Sequence, residues 1–227
     1  MARVLRSATA IIAALTALMT IVVWLSGQSD YAVEAFGFIP ARLSGAETPW
    51  ASAPALLTPL TATFLHSNFL HLATNLLVFV WCGHAVERAL GRASMVIIYV
   101  IGGYAAAAAQ WLGDPHGIVP MIGASGAISA IMAAFALSFG RPRRFTGNAR
   151  VNRWLHIAHL LVAWIVIQLM VGWVAREQGF MLATPAHVGG FIAGLGLVKI
   201  FENPRLVAAH QHAVARQQRF LFRKFWG

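Results

Sequence analysis

An all-α fold, a polytopic integral membrane protein of six transmembrane helices, is predicted by three observations. The 227 residues are 59% apolar and only 11% charged, less than half the roughly 25% of a soluble domain. Mean hydropathy is +0.68. The 17 Lys and Arg residues lie between long stretches that carry no charge at all. Such hydropathy excludes intrinsic disorder and argues against a soluble enzyme. The length holds one membrane-embedded unit rather than a multidomain assembly. The single cysteine, Cys82, excludes a disulfide framework and a thiolate metal cage. Within its apolar run it reads as a small buried hydrophobe.

A helix that crosses the hydrocarbon core needs ~20 mostly apolar residues. Charge-free intervals of that length are Ser7–Ser29, Ala93–Gly113, Pro115–Gly140, Trp154–Ala175 and Gln178–Val198. A longer interval, Thr48–Val86, holds a helix from about Asn68 to Val86. Its first half is interrupted by Pro49, Pro54 and Pro59, which break helix interiors. The count is six spans, with an irregular, half-apolar segment over 27–67 between the first two. The first span follows Arg3 and Arg6 as a signal peptide would. Its apolar stretch Ala8–Leu25 is longer than the usual ~7–15 residues of a signal core, so it reads as a retained helix.

Orientation follows from the loop cations. With the N-terminus inside, only Arg42 and Arg176 of the 17 fall on the outer side, which is the positive-inside distribution. Both termini are therefore expected in the cytoplasm, with a bacterial inner membrane as the setting. The net charge of +10 does not then point to nucleic acid, because the cations are spread along the membrane's inner edge. The basic tail interleaves Phe220, Phe222, Phe225 and Trp226, the pattern of a segment lying on anionic lipid. The chain divides into 1–57 (N-terminus, first helix and outer loop), 58–200 (helices two to six) and the tail 201–227.

Polar side chains at membrane depth are expensive and usually functional. Four are notable: His71 and Asn75 in the second span, Ser125 in the fourth and His187 in the sixth. Counting back from the inner ends at ~1.5 Å per residue puts His71, Ser125 and His187 about 24, 22 and 18 Å deep. They share one layer. His71 and Asn75 are i and i+4, on one helix face. A serine hydroxyl becomes a nucleophile when a neighbouring base takes its proton, and imidazole is suited to that task. The nearest acids, Asp114 and Glu177, sit in outer loops, so Ser125 and His187 form a dyad rather than a triad. His71, Asn75 and the Ser125 backbone N–H are the candidate donors to a developing oxyanion. Small residues at 123–127, and Gly190, Ala193 and Gly194 after His187, let the two helices approach closely.

These motifs have a family likeness. Gly123-Ala124-Ser125-Gly126 resembles the GxSG motif of rhomboid intramembrane serine proteases. Ala186-His187-Val188-Gly189-Gly190 is similar to their AHxxG segment. His66, His71 and Asn75 resemble their HxxxxHxxxN, and Gly83–Gly91 the stretch that closes the same helix. The resemblance covers about Thr58 to Val198. It implies a six-helix rhomboid-like bundle with 58–200 as the catalytic core, Ser125 as nucleophile and His187 as base. It implies an oxyanion hole from His71, Asn75 and the Ser125 amide. It also implies transmembrane protein substrates in the lipid bilayer and no cofactor or metal. The fifth span and the segment 174–186 are then expected to form the substrate gate.

Two positions depart from the family pattern. Leu57-Thr58 stands where its first loop often carries Trp-Arg, and Ser129 where many members have a tyrosine stacked on the catalytic histidine. Another ring, or packing alone, is left to hold His187. His66 reads as a structural loop residue. His156 and His159 lack further ligands for a metal, and the absence of HExxH argues against an intramembrane zinc protease. The alternative function is a catalytically silent rhomboid-like protein that binds membrane helices in quality control.

Overall fold

The computed structural model describes residues 7–140, 145–177 and 182–201. Arg3, Arg6, Arg141, Arg143, Arg144 and the basic tail from 202 onward lie outside these residues, as does 178–181 of the expected gate segment. Helix α1 (Ala8–Ser26) starts at a polar clamp. The first N–H groups of a helix have no intrahelical acceptor, and here they find two. Ser7 Oγ accepts from Ala10 N–H at 3.0 Å. The Glu87 carboxylate accepts from Ala8 N–H and Thr9 N–H at 2.9 Å each, and from the Thr9 hydroxyl at 2.7 Å. Arg92 lies 3.6 Å from the same carboxylate. Glu87 thereby fastens the start of α1 to the end of α5 (Phe69–Leu90), and its negative charge meets the N-terminal dipole of α1 favourably. Replacing Glu87 by alanine is expected to cost about 2–3 kcal/mol. A lowered thermal midpoint in detergent micelles checks this, with Glu87→Gln recovering part of the loss.

The irregular segment after α1 carries short helices: α2 (Ser29–Phe36), α3 (Pro40–Leu43) and α4 (Thr58–Thr61), the last between single 3₁₀ turns at Ala55–Leu57 and Ala62–Phe64. Pro40 and Pro59 sit in first turns, where the missing N–H costs nothing. The segment braces the approach to the fourth span. Phe38 and Met121 exchange backbone bonds at 3.0 and 2.8 Å, and Phe38 is fully buried.

The remaining helices among the described residues are α6 (Arg92–Gly113), α7 (Ser125–Phe139), α8 (Ala149–Glu177) and α9 (Thr184–Phe201). Helices α1, α5, α6, α8 and α9 are long and apolar enough to cross a membrane. The fourth span differs from the interval Pro115–Gly140, because its helix begins only at Ser125 and has 15 residues. At ~1.5 Å per residue that is ~22 Å, short of the ~30 Å core. The stretch before it cannot be helical: Pro120 restricts Val119, and Gly123 has φ +109°. Non-helical backbone survives at membrane depth only inside protein or beside a watery cavity. Accordingly α7 is the innermost helix, with ten of its residues buried. Helix α9 begins at Thr184, later than the interval from 178, with Pro185 in its first turn.

Around α7 stand α5, α6 and α9. Ile128 and Ile131 pack with Phe79, Met95, Ile98 and Phe191, and Cys82 lies buried and unpaired in the same core. The outer faces stay apolar, with Leu77, Trp81, Leu169 and Met170 all exposed, as lipid contact requires. The chain is a multi-pass integral membrane protein. Helix α8 is the most peripheral span, with 6% of its most apolar stretch buried. It holds on through Trp164 stacked on Phe191 (5.0 Å, 11°) and through Trp154 beneath the Lys199 ammonium at 3.9 Å.

Candidate active site

Ser125 is the first residue of α7. The chain reaches it through Gly123, which has a left-handed φ and donates its N–H to Ala62 O at 2.9 Å. A side chain there would be strained, and its Cβ would come 2.7 Å from His71 Nε2. Glycine is thus required on two counts, and the turn sets Ser125 beside the His71 ring. The helical ladder begins with Ile128 N–H to Ala124 O at 2.9 Å. The preceding N–H groups, Ser125's among them, have no acceptor within the helix. Together with the dipole they favour negative charge next to the Ser125 hydroxyl.

His187 occupies the first turn of α9 and is 8% exposed. Its Nε2 lies 2.7 Å from Ser125 Oγ. The structure therefore joins the two residues that the depth count put in one layer. Its other nitrogen, Nδ1, lies 2.8 Å from Gln168 Oε1 on α8, and Trp164 Nε1 donates to the His187 carbonyl at 3.2 Å. The histidine is held neither by a stacked ring nor by packing alone, the two options left by the missing tyrosine. Ser129 turns away and donates to Ser125 O at 2.8 Å. Sequence reasoning passed over Gln168. The available signal was that it is the only carboxamide in the charge-free interval 154–175.

On α5, Asn68 caps the helix by accepting from His71 N–H at 2.9 Å, and Ser67 Oγ lies 3.3 Å from His71 Nδ1. Asn75 is buried beneath, its amide donating one hydrogen to His71 O at 2.8 Å. His66 is structural: its Nδ1 meets Thr20 Oγ1 at 3.1 Å, and its carbonyl accepts from Trp24 Nε1 at 3.0 Å. Its ring packs edge-on to His71 at 4.8 Å. Burial, and then the proximity of His71, push the His66 imidazole down to about 3, so it stands neutral.

Ser125, His187, His71, Asn68 and Gln110 line one cavity of about 760 Å³. It opens where α5, α7 and α9 begin and α6 ends, with Asp114 and His116 on its wall. Gln110 contributes a buried Oε1 without a partner among the described residues. Asn75 does not line this cavity; it sits behind His71 and fixes that turn of α5. Chemically, the site offers a hydroxyl on an imidazole, donors at a helix start, and room for an extended peptide.

The fold and site define a polytopic helical membrane protein with a serine–histidine pair in an internal cavity. The Rhomboid domain family matches residues 54–203, and the chain belongs to the rhomboid family. RHOMBOID-like protein 5 of Arabidopsis thaliana is 28% identical over 156 residues, 65% of this chain and 47% of that protein. Rhomboid protease GluP of Bacillus subtilis is 29% identical over 140 residues, 61% of this chain and 24% of that protein. Rhomboid protease GlpG of Salmonella newport is 26% identical over 143 residues, 60% and 45% of the two chains. The matches thus cover less than half the length of each of these relatives.

Proposed function

We propose that this chain is an intramembrane serine endopeptidase that cleaves transmembrane proteins near one end of their spans. The observation that carries the reading is the 2.7 Å contact between His187 Nε2 and Ser125 Oγ on the wall of a cavity with room for a peptide. Ser125 Oγ attacks the scissile carbonyl carbon while its proton passes to His187 Nε2. The C–N bond then breaks as His187 returns that proton to the leaving amine, and the substrate's acyl group stays on Ser125. Water attacks the ester with His187 again as base, which frees the new carboxyl terminus and restores the hydroxyl. The oxyanion formed in both halves is stabilised by the Ser125 N–H and His71, while Asn75 holds the turn of α5 that carries His71. Membership in a family whose relatives are named proteases supports this reading. So does a site open at the end of the bundle, where a substrate helix can unwind. With both termini cytoplasmic in a bacterial inner membrane, that end is the outer one. Residues 58–200 are the catalytic core of this proposal.

The test is cleavage, in liposomes, of a single-span substrate with a small-residue site near its outer end. Wild type is expected to cut it and Ser125→Ala to leave it intact. An intact substrate that co-purifies with wild type would instead favour a silent helix-binding rhomboid relative. His71→Ala is expected to lower kcat by ~10²–10³, the usual loss for one oxyanion donor, with KM nearly unchanged. A loss confined to KM would remove His71 from the oxyanion hole.

A further inference from the structure

We infer that Gln168 is a positioning residue for His187, holding it in the tautomer and orientation in which it can deprotonate Ser125. The inference rests on the proposed dyad and adds a third member that the sequence motifs do not contain. To act as base, His187 must present an unprotonated Nε2 to the serine hydroxyl. A neutral imidazole then carries its proton on Nδ1. That N–H needs an acceptor, since both His187 and Gln168 are more than nine-tenths buried and an unpaired buried donor is costly. Gln168 Oε1, at 2.8 Å, is that acceptor.

The position is the one that a carboxylate fills in a serine–histidine–aspartate triad. Here a neutral amide fills it, which suits a depth where an ion would be expensive. Ser129 engages its own helix instead, so orientation of the ring falls to α8. Trp164, one turn before Gln168, donates to the His187 carbonyl at 3.2 Å and stacks on Phe191. These contacts fix the register that aims the carboxamide at Nδ1.

An amide is ambiguous, because its NH₂ end could donate to Nδ1 and force the proton onto Nε2, which would disable the base. Glutamate, with no such donor when ionised, permits only the productive tautomer, whereas methionine keeps the length and removes the acceptor. A residue that only packs would tolerate methionine and suffer from glutamate. A residue that positions the histidine predicts the reverse order.

The experiment measures kcat and KM in the liposome assay for wild type, Gln168→Met, Gln168→Glu and Ser125→Ala. Thermal midpoints and the rate of Ser125 labelling by a fluorophosphonate probe are read on the same preparations. Gln168→Met is expected to lose about ten- to a hundredfold in kcat, the factor one hydrogen bond commands. Its KM and midpoint should stay near wild type, and probe labelling should slow in step with kcat. Gln168→Glu is expected to exceed Gln168→Met in both rates. Methionine at the wild-type rate, glutamate no faster than methionine, or loss of the fold in both variants would overturn the inference. Equal cleavage by wild type and Ser125→Ala would instead overturn the proposed function, whatever the Gln168 variants do.

Discussion

Ser125→Ala and His187→Ala are each expected to reduce kcat by about 10⁴- to 10⁶-fold, and the double variant to be no slower than the worse single one. In the proposed mechanism nucleophile and base act as one unit, so removing either removes the covalent route entirely. What remains in each case is the helix start and the oxyanion donors acting on a bound peptide, a residue of catalysis common to all three variants. Neither change should harm the fold. Ser125 opens α7 without capping it, and the turn before it is held by Gly123 and Ala62. At His187 the helix is seated by glycines further along α9. Single-turnover cleavage in liposomes, with thermal midpoints alongside, checks both points. Losses that multiply in the double variant would mean that the two residues work independently, and the dyad would be abandoned.

The spans were legible because charge is so costly in lipid that its absence marks them. Ser125, His71 and His187 could be set in one layer because helical rise is constant. A count of charge-free residues, however, takes the whole interval as helix and so overestimates the fourth. Its true start is set by the turn at Gly123, whose positive φ the count does not register. The small helices α2, α3 and α4 were likewise illegible as helices. Segments that short are marginal in isolation, and here they exist because tertiary contacts such as the Phe38–Met121 bridge hold them. The spacing from His71 puts Asn75 on the same face of α5 as that residue. Where its amide points was not readable, since the choice between the cavity and the His71 carbonyl is a rotamer choice. Gln168 stayed hidden for a related reason. Its partner depends on how α8 is rotated against α9, and an apolar helix with a weak pattern leaves that rotation open.

The seam between α7 and α9 is expected to be the most sensitive surface in the molecule for both stability and rate. A Cβ at Gly190 would overlap the backbone of Gly126, and one at Gly194 the backbone of Ala130. Neither obstacle is a side-chain tip that can swing aside, so the two helix backbones must separate. Overpacking of this kind costs about 1–3 kcal/mol. The catalytic consequence is larger, because Gly126 adjoins Ser125 and Gly190 lies just one turn after His187. A shift of about 1 Å there carries the 2.7 Å contact out of hydrogen-bond range, and misplacement on that scale costs ~10²-fold. Gly190→Ala is therefore expected to lower the thermal midpoint and reduce kcat by ~10². A Cβ at Gly196, on the same helix, would stand in open space. Gly196→Ala should therefore cleave at the wild-type rate and gain up to ~1 kcal/mol from helix propensity. The contrast separates contact from propensity, since both are glycine-to-alanine changes in one helix. If Gly190→Ala kept full activity and stability, the helices would have slack at this height. The short serine–histidine distance would then need a cause other than the glycine seam.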